Sequence, residues 1–138
     1  MPKTLKDKIY RILDANFNRA KEGLRVCEDV CRFVYDERAI TRSLKNIRHD
    51  MTNIMKLFHW KEIVDARDMA ADVGKESTVT EMSRKTIEDI LFANLQRVKE
   101  SVRVLEEIAK LSSKDIAESF KRLRYEIYRI EQVLLKKI

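Results

Sequence analysis

Two stretches of this 138-residue chain carry the same polar pattern. Ala15-Asn16-Phe17-Asn18-Arg19-Ala20-Lys21-Glu22-Gly23-Leu24-Arg25-Val26-Cys27-Glu28 returns as Ala93-Asn94-Leu95-Gln96-Arg97-Val98-Lys99-Glu100-Ser101-Val102-Arg103-Val104-Leu105-Glu106, and residues 15–33 match 93–111 at 8 of 19 positions. Each copy places asparagine, arginine and a small residue at i, i+3 and i+7. At 100° per residue, Asn16, Arg19 and Gly23 fall inside a wide apolar arc, as do Asn94, Arg97 and Ser101. Arg48 and Arg124 hold matching places on the following segments, beside Leu44 and Phe120. An arginine that leans into an apolar face needs an anion, because an unpaired buried charge is strongly unfavourable. Glu28 and Glu106, at the edge of the arc, are one source of anions inside the fold. The other source is a ligand. Arg19, Arg48, Arg97 and Arg124 would then hold its phosphate or carboxylate groups, a task suited to the guanidinium fork. The ligand is the favoured expectation, with all four arginines facing one shared cavity.

Between the copies lie Arg67, Asp68, Asp72, Gly74 and Lys75. Two carboxylates beside an arginine can hold hydrated Mg²⁺ against phosphate oxygens. With two glycines in the whole chain, neither a P-loop nor a GxGxxG turn is available. A phosphate ligand must be held by side chains and helix ends.

These groups need helices to position them. Leu13, Phe17, Ala20, Leu24, Cys27, Cys31 and Val34 recur at steps of three and four, which predicts a helix over about 4–35. The same periodicity predicts helices over about 38–58, 81–111 and from Ser112 or Ser113 to the C-terminus. The span 59–80 reads as a connector with at most a helical turn. Residues 40–54 and 116–130 share 5 of 15 positions, including Arg48 with Arg124. The predicted fold is therefore all-α: one domain over 1–138, a pseudo-symmetric four-helix bundle built from a duplicated long helical hairpin. The copies cover about 4–58 and 81–138. A polar residue retained in both copies has no packing reason to be kept, which points to a ligand. Gly23, in mid-helix, costs about 1 kcal/mol relative to alanine, so a helix or a ligand must approach closely there.

Composition narrows the classes. Two glycines and one proline leave too few turn residues for a β-sandwich or barrel. The net charge of +6, from 29 basic and 23 acidic residues, suits an anionic partner. Basic residues interspersed with acidic ones at helical spacing usually mark a solvated face, so nucleic acid is not the expected partner. No apolar run approaches the ~18 residues of a membrane span, and the N-terminus lacks a signal-peptide core. Cys27 and Cys31 fall on the core face as reduced thiols, so a cytoplasmic location is expected. Trp60 and Phe58 are expected to close the base of the bundle. A second copy of the chain is a further expected partner, since long bundles often leave an apolar stripe exposed.

The motifs also resemble a known family. Asp14 to Asp29, Arg32-Phe33, Leu44-Lys45, Arg48-His49, Ala66-Arg67-Asp68, Asp72-Val73-Gly74, Ala93-Asn94 with Arg97, Arg103 to Glu107, and Arg124-Tyr125 with Tyr128 are similar to the small helical hydroxymethylpyrimidine phosphate kinases. Members often stand as an N-terminal domain fused to thiamine phosphate synthase. The resemblance implies ATP-dependent phosphorylation of the pyrimidine phosphate to its diphosphate, with Mg²⁺, and thiamine phosphate synthase as a partner. The synthase barrel has no counterpart in these residues, so its activity is not expected of them. Under that chemistry Arg48, Arg124 and Arg67 are the expected catalytic clamps. Asn16, Arg19, Asn94, Arg97, Glu28 and Glu106 would bind substrate, and Asp68 and Asp72 the metal. An all-helical isomerase of the chorismate mutase type and a non-catalytic module binding a phosphorylated ligand or partner enzyme are the competing classes.

Overall fold

Thr4 opens the first helix. Its Oγ1 accepts from the Asp7 N–H at 3.1 Å while Asp7 Oδ2 accepts from the Thr4 N–H at 3.2 Å, a reciprocal capping box that satisfies two otherwise orphaned donors. The computed structural model describes residues 3–76 and 83–138. Helix α1 spans Leu5–Asp29 and continues as a π-helical turn, Val30–Val34. The chain then reverses at Asp36, the one described non-glycine residue with positive φ, at 52°. Helix α2 spans Arg38–Met55 and a short α3 spans Trp60–Asp65. Helix α4 spans Ile87–Ala109, opened by a second capping box between Thr86 and Asp89. Helix α5 spans Lys114–Lys137, capped by Ser113, whose hydroxyl accepts from the Ile116 N–H.

The all-helical duplicated hairpin is as expected, with shorter helices. The predicted 38–58 helix ends at Met55, and the connector forms α3 over part of its length. The predicted start of the third helix at 81 lies outside the described residues. The predicted 4–35 helix keeps its length but loses α-geometry at Val30, where the extra residue of the π-turn re-aims the chain towards α2.

Long-range contacts set the topology. Lys21 reaches Thr52 and Arg48 reaches Glu28, so α1 and α2 run antiparallel. Lys99 reaches Glu131 and Arg124 reaches Glu106 in the same way across α4 and α5. Cys27 Sγ contacts Leu91 O and Tyr35 Oη donates to Glu88, so α1 and α4 also cross antiparallel. Gly23 lies at their closest approach. A Cβ there would stand 2.7 Å from Val98 Cγ2 and 3.2 Å from Asn94 O. The partner that demanded a glycine is thus a helix.

The core lies between the four long helices. Leu24, Cys27, Leu44, Met51, Leu95, Val102, Phe120 and Ile127 are fully enclosed. Burying each large apolar side chain is worth roughly 1.5–3 kcal/mol. Both cysteines sit in this core, as expected. Ile63 pins α3 to the bundle, and Trp60 meets Phe17 edge to face at 5.3 Å while staying partly exposed; Phe58 packs on the core edge. Among the described residues no helix is long and apolar enough to cross a membrane.

Candidate functional site

Each copy holds a buried glutamate between two arginines. Glu28 Oε2 accepts from Arg25 Nη1 at 3.0 Å and from Arg48 Nη2 at 3.4 Å. Glu106 Oε2 accepts from Arg103 Nη1 at 3.4 Å, and Glu106 Oε1 from Arg124 Nε at 2.9 Å. Arg124 Nη1 also donates to Tyr128 Oη at 3.0 Å. These bonds hold Arg124 above its usual range, the Glu106 hydrogen bond contributing most. The anions that Arg48 and Arg124 meet come from within the fold: each arginine pairs with the glutamate of its own hairpin, Glu28 or Glu106, and joins its two helices. A buried carboxylate stripped of its arginines would be costly, so neither partner can drift alone. Among the described residues the four arginines do not converge: two face glutamates in separate hairpins, and Arg19 and Arg97 are exposed.

The twin clusters also differ at their lysines. Lys99 pairs with Glu131 at 2.8 Å. Its counterpart Lys21 has the Thr52 hydroxyl, at 2.7 Å, and the Phe17 ring, at 5.5 Å, but no carboxylate among the described residues, because Met55 occupies the place of Glu131. Burial, then the charge of Arg48, lowers the Lys21 pKa, and Arg48 Nε is buried without an acceptor among the described residues.

Asn16 and Asn94 behave alike. Each donates Nδ2 to the carbonyl four residues earlier, Ile12 O at 2.9 Å and Ile90 O at 2.8 Å. Asn16 Oδ1 faces Arg19 Nη1 at 3.5 Å, so Asn16 restrains the arginine rather than standing alone.

The connector makes the two copies unequal. Arg67 Nε and Nη2 donate to the two oxygens of Asp14, each at 2.7 Å. Asp14 is buried, and Asn18 Nδ2 adds a bond at 3.1 Å. This fork draws the chain after α3 across the N-terminal half of α1. A cleft of about 750 Å³ results, lined by Lys8, Arg11, Ile12, Asn16, Arg19, Glu22, Arg67, Asp68, Met69 and Asp72, among others. The second copy has Phe92 at the position of Asp14, so it has no carboxylate with which to hold a connector. Five expected site residues thus meet in one cleft: Asn16, Arg19, Arg67, Asp68 and Asp72. Arg48, Arg124, Asn94, Arg97, Glu28 and Glu106 do not line it.

The cleft combines cations with two exposed apolar side chains. Ile12 and Met69 are exposed there, beside Lys8, Arg11 and Arg19. Arg11 Nη2 donates to the Asp68 carbonyl at 3.4 Å. Asp68 is committed: Oδ2 accepts from Lys3 at 2.7 Å and Oδ1 from the Ala71 N–H at 3.1 Å. The Lys3 hydrogen bond, followed by that of Ala71, holds its carboxyl below the usual range. Asp72 Oδ1 accepts from the Gly74 N–H at 2.9 Å. Among the described residues no three His, Cys, Asp or Glu side chains converge as a ligand set. Lys8, Arg11 and Asp14 were missed from the sequence. A carboxylate at 14 against a phenylalanine at 92 was the available signal, because it breaks the repeat at a core-facing position. Arg25 and Arg103 were also missed, although each stands three residues before a retained glutamate.

Comparison with known proteins gives one consistent answer. The family model described as the ThiD2 family matches residues 11–133. The chain is 41% identical over 128 residues to a thiamine-phosphate synthase of Nostoc punctiforme, covering 92% of this chain and 35% of that protein. It is 40% identical over 128 residues to the thiamine-phosphate synthase of Thermosynechococcus vestitus, with 92% and 35% covered. The Synechocystis thiamine-phosphate synthase is 41% identical over 128 residues, with 92% and 36% covered. The chain thus spans about a third of the length of these relatives. No solved structure gives a significant match.

Proposed function

The chain belongs to the ThiD2 family, and on that premise we propose that it serves thiamine biosynthesis as a phosphotransferase. It transfers the terminal phosphoryl group of ATP to hydroxymethylpyrimidine phosphate. The observation that carries the proposal is the cleft under Arg67, where Lys8, Arg11 and Arg19 surround the apolar Ile12 and Met69. A small methylated heteroaromatic ring with a phosphate tail needs that combination of an apolar seat and nearby cations. Phosphoryl transfer between two anions depends mainly on positioning and on positive charge around the transferred group. The bond to ADP breaks and an anhydride bond to the acceptor phosphate forms. A phosphate acceptor is already ionised near neutral pH, so a general base is not required, and the cleft contains no histidine.

Roles follow from the geometry. Arg19, with Arg11 and Lys8, supplies the phosphate-facing charge. Asn16 orients Arg19. Arg67 is a positioning residue, since its fork is occupied by Asp14. Mg²⁺ arriving on the donor phosphates needs one or two protein carboxylates and keeps several waters. Asp72 fits that modest demand. Asp68 fits it less well, with both oxygens already bonded. The ion would supply charge neutralisation on the donor phosphates when bound. Arg48, Arg124, Glu28 and Glu106 act at a distance by holding each hairpin together. The relatives are named thiamine-phosphate synthases and are nearly three times as long as the matched region, which favours that synthase as the partner that consumes the product.

The test is direct. Incubation with ATP, Mg²⁺ and the pyrimidine phosphate should yield the pyrimidine diphosphate by mass spectrometry, with stoichiometric ADP. Absence of both products would refute the kinase reading. The diphosphate should fall about 100-fold in Arg19→Ala.

A further inference from the structure

At the other end of α1, the π-turn and the first two turns of α2 enclose a separate groove of about 630 Å³. Its walls carry Arg32, Arg38, Arg42 and Lys45. None of the four has a carboxylate partner among the described residues, whereas most arginines near the hairpin interfaces are paired. The groove's two acids do little to offset them: Glu37 is taken by Lys137 at 2.8 Å, which leaves Asp36. Arg38, Arg42 and Lys45 stand at i, i+4 and i+7, so they share one face of α2 and repel one another. Arg38 also lies in the first turn of α2, where the helix dipole adds positive potential. No acidic residue occupies that first turn. The duplicated helix α5 is built differently. Asp115 sits in its first turn, and Glu118 stands where α2 has Arg42. Lys114 and Lys121 keep the charges of Arg38 and Lys45, but Glu118 breaks the row, so three successive cations share a face in the first copy only.

The groove is also held in shape before any ligand arrives. Tyr35 Oη donates to Glu88 at 2.9 Å, Glu37 N–H donates to Cys31 O at 2.9 Å, and Arg32 lies over the Phe33 ring at 4.7 Å. Arg19 and Arg32 are separated by 13 residues of helix, roughly 20 Å at the α-helical rise, so this groove is distinct from the cleft under Arg67. Arg38 to Lys45 alone spans about 10 Å. A single phosphate would meet only part of that row.

We propose that this groove is a second anion site, for a small ligand carrying two or more linked phosphoryl groups. Charge-assisted hydrogen bonds from three arginines and a lysine would neutralise the row that the protein itself leaves unpaired. The proposal does not depend on the reaction assigned to the cleft.

Inorganic triphosphate is the probe, and the readouts are thermal shift and isothermal titration calorimetry at low and moderate salt. Triphosphate should stabilise the wild type and Arg19→Ala, and adding the double variant Arg38→Ala/Arg42→Ala to Arg19→Ala should abolish the gain. Without the probe, that double variant should melt at or above the wild-type temperature, because repulsion has been removed. The proposal fails if triphosphate gives no shift in the wild type, if Arg38→Ala/Arg42→Ala leaves the shift seen in Arg19→Ala unchanged, or if Arg19→Ala alone abolishes it. It also fails if a single-stranded oligonucleotide, and not triphosphate, binds through Arg38 and Arg42; the groove would then be a nucleic-acid surface.

Discussion

The Arg67 guanidinium meets the buried Asp14 carboxylate edge to edge, with two N–H groups each 2.7 Å from an oxygen. That fork is the only described ion pair between α1 and the segment after α3 that buries its carboxylate. It sets where the connector lies and so shapes the cleft. Arg67→Lys cannot reproduce a two-point contact. Removing the fork leaves Asp14 buried with one partner, Asn18, at a cost of roughly 1–3 kcal/mol. Urea denaturation of Arg67→Ala should show that loss. The double variant Asp14→Asn/Arg67→Ala should recover part of it, because no charge is then stranded.

Arg19 and Arg97 are sequence equivalents with unequal surroundings. Both are exposed, but only Arg19 faces the connector. Arg19→Ala should lower kcat/KM by about 100-fold, in line with the loss of one charge-stabilising donor. Its stability should stay within about 0.5 kcal/mol of wild type, as for other exposed sites. Arg97→Ala should change neither quantity. Steady-state kinetics and melting curves on the pair decide it, and equal activity losses would remove the connector cleft from consideration.

Arg124 and Arg48 should differ in stability. Arg124 has a 9% exposed side chain and three short or moderate hydrogen bonds, while Arg48 is 17% exposed with its Glu28 contacts at 3.4 and 3.5 Å. Breaking a buried pair from one side costs roughly 3–5 kcal/mol. Arg124→Ala should approach that range and Arg48→Ala should fall below it. Chemical denaturation with far-UV circular dichroism checks the order.

Gly23→Ala should destabilise the protein despite the better helix propensity of alanine. The propensity gain is about 1 kcal/mol. The new methyl would stand 2.7 Å from Val98 Cγ2 and 3.2 Å from a backbone oxygen. Forcing α1 and α4 apart costs roughly 1–3 kcal/mol, so a net loss in denaturation midpoint is expected. A midpoint above wild type would show that the helices separate freely.

The core thiols give a pH signature. Burial is the main cause that pushes Cys27 up to about 12 and Cys31 to about 11, from an ordinary 9.0. The unfolded chain releases these protons near pH 9 while the folded chain keeps them. Stability from this source is therefore complete below about pH 9 and declines as pH rises towards 11–12. Melting temperature should fall across that window. At pH 8 a thiol reagent should label neither cysteine in the native protein and both in urea.

Much of the fold was legible because helical periodicity is a local property. Leu24, Cys27 and Leu44 on the first hairpin, and Val102, Leu105 and Phe120 on the second, fall at core spacing and are buried. Helix ends were less legible. Thr4 with Asp7 and Thr86 with Asp89 spell capping boxes that mark the starts, whereas the π-turn at Val30–Val34 has no comparable spelling. The site was half legible: Asn16, Arg19, Arg67, Asp68 and Asp72 converge, while Arg48 and Arg124 turn to glutamates.

The amino-acid order alone determined a twin helical hairpin, its core faces and the asparagine–arginine pairs repeated on them. A helical wheel gives the direction of a side chain from its own axis. It does not give the distance to a carboxylate on another helix. Only the packed structure could therefore decide that Glu28 and Glu106 neutralise Arg48 and Arg124, and that the connector folds over α1 rather than α4. One difference between the copies contributes to the second outcome: Asp14 can accept the Arg67 fork, and Phe92 cannot, while Trp60 against Phe17 and Arg11 against the Asp68 carbonyl add to it.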